Sequence, residues 1–376
     1  MFHFLPPPLS TIVPFLIVLG VLVFIHELGH YLAARWRGVH VEVFSIGFGT
    51  PIARWTDRVG TEWRLSWLPL GGFVKLHGQE RPEDATAETR AAWQPGRTFH
   101  EKGVGSRAIV IAAGPLANFV LAVVLYAGLF ATFGAPVDSK DGPPAVVGEV
   151  APGSAASAAG LLPGDRLLAI DGQNVASFED VRRVVGARPG HTVPLEVSRA
   201  GAALHLQATL SSTDGGSGKI GTLGITSQSE LRRVSLPRAL WGGVEQTWEV
   251  GRQTLIGLWR VVTGHGGADE IGGPLRIAQL SGQVAQLGLP SLITFIAVLS
   301  VNLGLINLFP VPVLDGGHLV FYALEAIRGR PLPTRAVEYG FRAGFALLIA
   351  LFVFATWNDL SHMGVMRWVG RLLGAT

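Results

Sequence analysis

The stretch Val21–His30 reads V-L-V-F-I-H-E-L-G-H and contains the pattern H-E-x-x-H. On an α-helix, histidines at positions i and i+4 lie on one face, where both imidazoles can bind the same metal ion. The glutamate after the first histidine lies beside that metal and can act as the general base for an attacking water. The pattern therefore predicts a metalloenzyme site that uses His26, Glu27 and His30.

The residues around this pattern are those of a membrane helix. Residues 11–25 carry no charge, and the apolar run continues behind the motif to Ala34. The segment is long enough to cross a hydrocarbon core of about 30 Å. Three ionisable groups in such a helix are costly and are more difficult to satisfy there than in a soluble core. We therefore predict a functional site inside the first membrane span.

The composition also indicates a membrane protein. Of the 376 residues, 48% are hydrophobic and 15% are charged, whereas a soluble domain has about 25% charged residues. The net charge of +3 is too small to indicate nucleic-acid binding. Because the chain has no cysteine, no disulfide can form and a zinc site must use His, Asp or Glu. The N-terminus lacks the features of a removed signal peptide, so the first apolar segment is expected to be retained.

Apolar segments divide the chain into regions, and several of these are predicted transmembrane helices. The first half of the chain divides into residues 1–34 with the first span, 35–107 as a cytoplasmic loop and 108–133 with the second span. Residues 134–230 follow as a folded domain with linkers, and residues 231–290 as an amphipathic or interfacial helical region. The last two regions are 291–318 with the third span and 319–376, which holds a loop, the fourth span at 343–357 and a tail. The short loops before the second and fourth spans are basic, so the positive-inside rule places them in the cytoplasm. Both termini and residues 134–290 are then expected outside.

Residues 145–226 have the pattern of a small soluble α/β domain. A helix is predicted at Phe178–Gly186, with Ser177 as its N-cap, among strand-like runs at 146–150, 166–170, 193–197 and 204–208. Residues 211–218 are rich in Gly and Ser and are predicted to form a flexible linker.

The tryptophans that follow this domain predict a helix with two possible locations. Trp241, Trp248 and Trp259 recur at helical spacing, which fits a helix at the membrane interface or one packed under the α/β domain. Residues 270–275 are then expected to form a turn towards the third span.

Two histidines leave zinc one protein ligand short of its usual three. The best candidate is Asp315, in N-L-G-L-I-N-L-F-P-V-P-V-L-D-G-G-H at 302–318, and His318 is the next. Pro310 and Pro312 are predicted to stop the helix and to leave Asp315 in non-helical backbone. Such backbone is expected at membrane depth only around a cavity or a site. Taken alone, Asp-Gly-Gly is a common surface turn.

Two other stretches have more than one interpretation. Residues 68–76, L-P-L-G-G-F-V-K-L, fit an ordinary cytoplasmic hairpin or one that dips into the protein-lined membrane interior, where the glycines allow a close backbone approach. In G-P-L-A-N-F at 114–119, the amide of Asn118 is expected to bond to a neighbouring helix in a packing role. Residues 79–105 are polar and are expected to be loop.

Together these motifs resemble the site-2 protease family of intramembrane zinc metalloproteases. The likeness rests on H-E-L-G-H, G-P-L-A-N-F, the PDZ-like run A-P-G-S-A-A to G-D-R-L-L-A-I-D-G at 151–172, and N-L-F-P-V-P-V-L-D-G-G-H. It is nearest to the RseP-type enzymes that cut anti-sigma factors and signal-peptide remnants. Members with two PDZ domains differ from this chain, in which we find one.

The resemblance implies a fold, a metal and a set of site residues. The fold is an α-helical polytopic membrane protein with four transmembrane helices, a re-entrant β-hairpin and an inserted α/β PDZ domain, in a bacterial inner membrane. The implied cofactor is Zn²⁺, and the implied substrates are transmembrane proteins such as anti-sigma factors or signal peptides, in contact with membrane lipid and without nucleic acid. The implied roles are Glu27 as the base, His26, His30 and Asp315 as zinc ligands, and Asn302, Asn307, Gly71, Gly72 and Phe73 as substrate-binding residues.

Two other classes of function are compatible with parts of this pattern. One is a PDZ-bearing membrane scaffold or chaperone with a non-catalytic metal site, but the presence of every reacting residue argues against it. The other is a metal transporter that uses His26, His30 and Asp315 as a transit site. Transporters usually show internal hydropathy repeats, which this sequence lacks.

Overall fold

The protein is described by a computed structural model at residues 6–80, 85–136, 144–214, 219–227, 231–264 and 273–362. The helices are α1 (Pro7–Trp36), α2 (Ala87–Ala91), α3 (Val104–Phe133), α4 (Ala155–Ala158), α5 (Phe178–Gly186), α6 (Leu236–Val262), α7 (Pro274–Gln286), α8 (Leu289–Asn307), α9 (Asp315–Arg328) and α10 (Thr334–His362). The strands are β1 (Val41–Thr56), β2 (Glu62–Leu76), β3 (Ala135–Pro136), β4 (Val147–Val150), β5 (Arg166–Ile170), β6 (Gln173–Asn174), β7 (Thr192–Arg199), β8 (Ala202–Thr209), β9 (Ser211–Asp214), β10 (Lys219–Thr222), β11 (Ile225–Ser227) and β12 (Leu231–Arg232).

The chain forms two compact units. The helical unit comprises Met1–Ala127, Leu240–Ile256 and Ala268–Thr376, and the α/β unit comprises Gly128–Ala239 with Gly257–Gly267. Among the described residues, the helices α1, α3, α8 and α10 are long and apolar enough to cross a membrane. This result confirms the prediction of four membrane-spanning helices.

The third and fourth spans differ in extent from the sequence prediction. Helix α8 ends at Asn307, and Asp315 is the first residue of α9 rather than part of an irregular stretch. A carboxylate is favoured at that position, because the free N–H groups of a helix N-terminus attract negative charge. Helix α10 begins at Thr334, well before the predicted start of the fourth span, and a 2.6 Å ion pair between Glu338 and Arg342 supports its first turns.

The hairpin formed by β1 and β2 is folded on itself. The first half of β1 pairs with both arms of β2, so that Phe44 lies opposite Trp63 on one side and Val74 on the other. Gly47 and Gly49 have φ angles of 87° and 85°, and at these points β1 changes direction. The arm at 72–76 thereby becomes an edge of the sheet. The region behind the hairpin is not all loop, because it contains the short helix α2 with Thr86 as its N-cap.

The α/β unit is built around a four-stranded antiparallel sheet in the order β6-β5-β7-β8. The predicted helix at Phe178–Gly186 is confirmed, and Ser177 and Asp180 form a reciprocal capping box at its start. The prediction of a flexible linker at 211–218 is wrong for its first half, because Ser211–Asp214 pairs with Lys219–Thr222. Main-chain pairing stabilises this segment in spite of its composition, and residues 215–218 lie outside the described part.

Helix α6 packs on membrane-spanning helices over the part that belongs to the helical unit. A Cβ on Gly243 would lie 2.6 Å from the Val123 carbonyl oxygen, and one on Gly251 would lie 3.7 Å from Val301. Trp248, between these two glycines in the helix, is 74% exposed. The alternative of a helix under the α/β domain therefore does not describe this part of α6. The turn predicted at 270–275 lies outside the described residues up to Gly272, and Gly273 is the N-cap of α7.

Candidate metal centre

Three lone-pair atoms from distant parts of the chain meet inside the helical unit. His26 Nε2 lies 3.2 Å from His30 Nε2 and 3.2 Å from Asp315 Oδ2. His30 Nε2 lies 3.5 Å from the same Asp315 oxygen. The histidines occupy successive turns of α1, and the aspartate opens α9. The three ligand atoms all lie within 4.8 Å of one another, so these side chains can bind one metal ion together.

The proton positions in this group fit a cation better than a hydrogen-bonded cluster. His30 Nδ1 lies 2.9 Å from the Val110 carbonyl oxygen, which can only accept, so Nδ1 carries the proton and Nε2 presents its lone pair. Asp315 Oδ2 is buried, and within the described structure it has no hydrogen-bond partner of good geometry despite its short distance to His26. Two imidazoles and one carboxylate are the donor set of a three-ligand zinc site. The residues present therefore fit zinc.

Small residues hold Asp315 against the loop that precedes it. A Cβ on Gly316 would lie 2.3 Å from the carbonyl oxygens of Leu308 and Phe309, and one on Gly317 would lie 2.4 Å from that of Val311. Neither position can accept a side chain without moving the loop. The Asp-Gly-Gly sequence is therefore the packed first turn of a helix rather than a surface turn.

The loop is held from its other side by α10. A Cβ on Gly344 would lie 2.0 Å from the Pro312 carbonyl oxygen. Val313 adopts a φ of 94°, a region that costs a β-branched residue free energy and persists only where packing enforces it. The position of Asp315 thus depends on α8, α9 and α10 together.

Close contact between α1 and α3 completes the surroundings of the histidines. A Cβ on Gly114 would lie 2.2 Å from His30 Nε2, and a Cβ on Gly29 would lie 2.2 Å from the Ala113 carbonyl oxygen. These glycines let the two helices approach until the imidazole of His30 lies flat against the backbone of α3.

Asn118 is a site residue whose role the sequence did not reveal. The expected bond to a neighbouring helix exists, but its partner is His26, whose Nδ1 lies 3.2 Å from Asn118 Nδ2. The residue is fully buried, and its main-chain oxygen accepts a 2.8 Å hydrogen bond from Ser300 Oγ. Its position one helical turn after Gly114, the residue that contacts His30, was a signal that could have placed it beside the histidines.

Glu27 lies against the edge arm of the hairpin. The Val74 N–H donates a hydrogen bond to its carboxylate. A Cβ on Gly72 would lie 2.8 Å from Val23 Cγ1 and 3.1 Å from Glu27 Cγ. Gly71 has a φ of 140°, and the ring of Phe73 stacks on Phe48 at 6.2 Å. The structure therefore brings Gly72 next to Glu27, whereas Gly71 and Phe73 contact Phe48.

The remaining predicted residues lie elsewhere around the site. Asn302 Oδ1 accepts a 2.8 Å hydrogen bond from Thr254 Oγ1 on α6, so its amide is already engaged. Asn307 is half-buried at the C-terminal end of α8. His318, one turn after Asp315, packs its ring 5.2 Å from that of Phe341 and is outside the three-ligand group.

Comparison with known proteins identifies the family. The model of peptidase family M50 matches residues 14–351. A protein of Rhizobium meliloti that is provisionally named a zinc metalloprotease is 46% identical, with 94% of this chain and 97% of the relative covered. The regulator of sigma-E protease RseP of Escherichia coli is 33% identical, with 93% and 98% covered. Among solved structures, the PDZ domain of an SdrC-like protein from Listeria monocytogenes matches 25% of this chain and 93% of its own, at 22% identity and a TM-score of 0.20.

The family model and the two relatives cover nearly all of the chain and agree with the resemblance of its motifs and with zinc as the cofactor. With four apolar helices in the part of the chain that the structure describes, the protein is a multi-pass membrane zinc metalloprotease, and the chain belongs to peptidase family M50, the site-2 protease family.

Proposed function

We propose that this protein cleaves the transmembrane segments of single-span membrane proteins inside the membrane, as a step of regulated intramembrane proteolysis. The observation that carries the proposal is the position of Glu27. It lies on a membrane-spanning helix between the two histidines of the metal group, and it contacts the edge arm of the β1–β2 hairpin. Glu27, the metal group and a strand edge that pairs with no further strand among the described residues thus adjoin one another at an apolar helix.

We assign zinc binding to His26, His30 and Asp315. When bound there, zinc polarises the scissile carbonyl and lowers the pKa of water to about 7. Glu27 takes the proton of the attacking water and delivers it to the leaving amine. The hydrogen bond from Val74 holds the carboxylate against the hairpin, which is where we place the scissile peptide.

The hairpin edge is the proposed binding surface for the substrate. A transmembrane helix hides its carbonyls, so it must unwind before cleavage, and its freed backbone groups need partners within the membrane. The arm at 72–76 pairs with β1 on one side, and its other side lies against α1 and Glu27, which is where we place an extended substrate strand. Gly71, Gly72 and Phe73 form the start of that edge, and Asn307 and Asn302 are assigned to the substrate backbone from the family resemblance.

The proposed substrates are anti-sigma factors or signal-peptide remnants. This assignment follows the resemblance and the name of the Escherichia coli relative, a regulator of sigma-E protease. The edge of the hairpin can accept a short extended segment, which either an anti-sigma factor or a signal-peptide remnant can provide.

We further propose that the hairpin is re-entrant from the cytoplasmic side and that both termini and the α/β domain lie outside the cytoplasm. Large apolar side chains on the hairpin support contact with lipid, since Ile52 is 64%, Trp55 56% and Trp67 75% exposed. A reporter that is active only outside the cytoplasm, fused after Gly215, is expected to be active. If a reporter that works only in the cytoplasm is active when fused at the same position, the proposed orientation is wrong.

Cleavage of a purified single-span substrate by the reconstituted protein tests the proposed activity. The wild type is expected to cleave within the transmembrane segment and to lose activity in a zinc chelator. Glu27→Gln is expected to keep its zinc and lose cleavage, because the change removes the base without removing a ligand. Glu338→Gln, in an exposed ion pair on α10, is the matched control and should be fully active. Wild-type turnover by Glu27→Gln would refute the role of Glu27.

A further inference from the structure

Asn118 is a buried amide whose two ends have different surroundings. Its nitrogen lies 3.2 Å from His26 Nδ1, whereas its oxygen is buried and has no hydrogen-bond partner among the described residues. Its main-chain oxygen accepts a hydrogen bond from Ser300, which does not involve the amide. An unpartnered carboxamide oxygen in an apolar interior costs free energy, so the arrangement calls for a specific explanation.

The imidazole of His26 supplies that explanation. To bind a metal through Nε2, His26 must present a lone pair there and carry its proton on Nδ1. That proton then needs an acceptor at the position where Asn118 lies. An amide nitrogen cannot accept, but a half-turn of the amide exchanges its nitrogen and oxygen with almost no change in shape. The oxygen then accepts from Nδ1–H and gains its missing partner.

The other histidine follows the same rule. His30 donates its Nδ1 proton to the Val110 carbonyl oxygen at 2.9 Å, also on α3 and two turns before Asn118. One helix therefore contacts the outward nitrogens of both histidines, at Val110 by its backbone and at Asn118 by a side chain. The glycine between them, Gly114, provides the space for the His30 ring.

We propose that Asn118 is a positioning residue for zinc: its side-chain oxygen accepts the Nδ1 proton of His26 and so directs Nε2 at the metal. The inference rests on the proposed ligand His26. A neutral acceptor suits the site because the charge of one zinc ion is already matched by the carboxylates of Asp315 and Glu27. An aspartate at 118 preserves the acceptor and adds a charge, whereas a leucine preserves the volume and removes the acceptor.

Zinc affinity of the full-length protein in detergent, measured by competition with a chromophoric chelator, tests this role directly. Asn118→Leu is expected to weaken zinc binding by about 10- to 100-fold, the usual effect of losing a partner of a ligating histidine. Asn118→Asp is expected to bind zinc within about threefold of the wild type or more tightly, because it still accepts the Nδ1 proton. If Asn118 only packs helices together, Asn118→Leu should bind zinc with wild-type affinity, and that result would overturn the proposal.

Ser300→Ala is the matched control. It removes the hydrogen bond to the main chain of Asn118 and leaves the amide in place, so zinc affinity is expected to stay within about twofold of the wild type. A loss as large as that of Asn118→Leu would show that helix packing, and not the amide, sets the affinity. If Asn118→Leu does not fold, Asn118→Ala replaces it with the same expectation.

His26→Ala separates a failure of this inference from a failure of the ligand assignment. If His26→Ala retains wild-type zinc affinity, His26 is not a ligand and the role of Asn118 is lost with it. If His26→Ala loses zinc and Asn118→Leu does not, only the role of Asn118 is refuted. The visible absorption of the cobalt-loaded protein gives a second readout, since the bands of Asn118→Leu should change and those of Ser300→Ala should not.

Discussion

Replacing Gly114 with alanine is expected to disable the site without touching a ligand. The new Cβ would lie 2.2 Å from His30 Nε2, and an ordinary contact requires at least 3.4 Å, so the ring must retreat by about 1.2 Å. His30 is 8% exposed, and its Nδ1 bond to Val110 ties it to the same helix, which leaves the ring little room. Zinc sites tolerate errors of only about 0.2 Å in ligand position.

The expected losses follow from that displacement. A misplacement of about 1 Å lowers turnover roughly 10²-fold, and zinc affinity should fall at least as far as when a supporting partner is lost, about tenfold or more. Both are measurable on purified protein, by cleavage of a single-span substrate and by chelator competition.

Gly128→Ala is the matched control for Gly114→Ala. It lies in the same helix with no atom within 4 Å of its added Cβ. Because alanine favours a helix over glycine by about 1 kcal/mol, Gly128→Ala should be fully active and no less stable. Near-wild-type zinc affinity in Gly114→Ala, or equal damage in both variants, would refute the close approach of α3 to His30.

Two further predictions concern charged groups outside the metal centre. Arg107 and Glu325 form a 2.6 Å ion pair in which both side chains are largely buried. Glu325→Gln should therefore lower the free energy of unfolding by about 3 kcal/mol, because it leaves the buried charge of Arg107 without a partner. The double variant Arg107→Met with Glu325→Gln should recover part of that loss. Thermal unfolding in detergent measures this, and additive losses in the double variant would contradict a direct pairing. In the α/β domain, hydrogen bonds from the Arg199 guanidinium hold the pKa of Asp165 below its usual range, so this carboxyl contributes stability that is fully present above about pH 4 and is lost as the pH falls further. Arg199→Met should flatten that part of the pH profile of domain unfolding, and an unchanged profile would show that the pair is not the cause.

Local chemistry in the sequence was sufficient for the membrane-spanning helices and for the central elements of the α/β domain. The i, i+4 spacing of His26 and His30 requires only that α1 be a helix, and an uncharged run of that length is helical in a membrane because its backbone must bond internally. The α/β domain followed from short strand-like runs and from the N-cap at Ser177, which are also local signals. The linker at 211–218 was misjudged because composition does not reveal which segment will pair with another strand.

The partners of those elements were decided by the tertiary structure. Asp315 lies far from the histidines in sequence, and nothing local distinguishes the first turn of α9 from a surface turn. The contact of Asn118 with His26 and that of Val74 with Glu27 likewise join separate elements. Between apolar helices, lipid and protein are equally apolar, so hydrophobic periodicity does not show which faces meet. Close packing at Gly29 and Gly114 determines the approach of α1 to α3, and that approach is a property of the assembled helices.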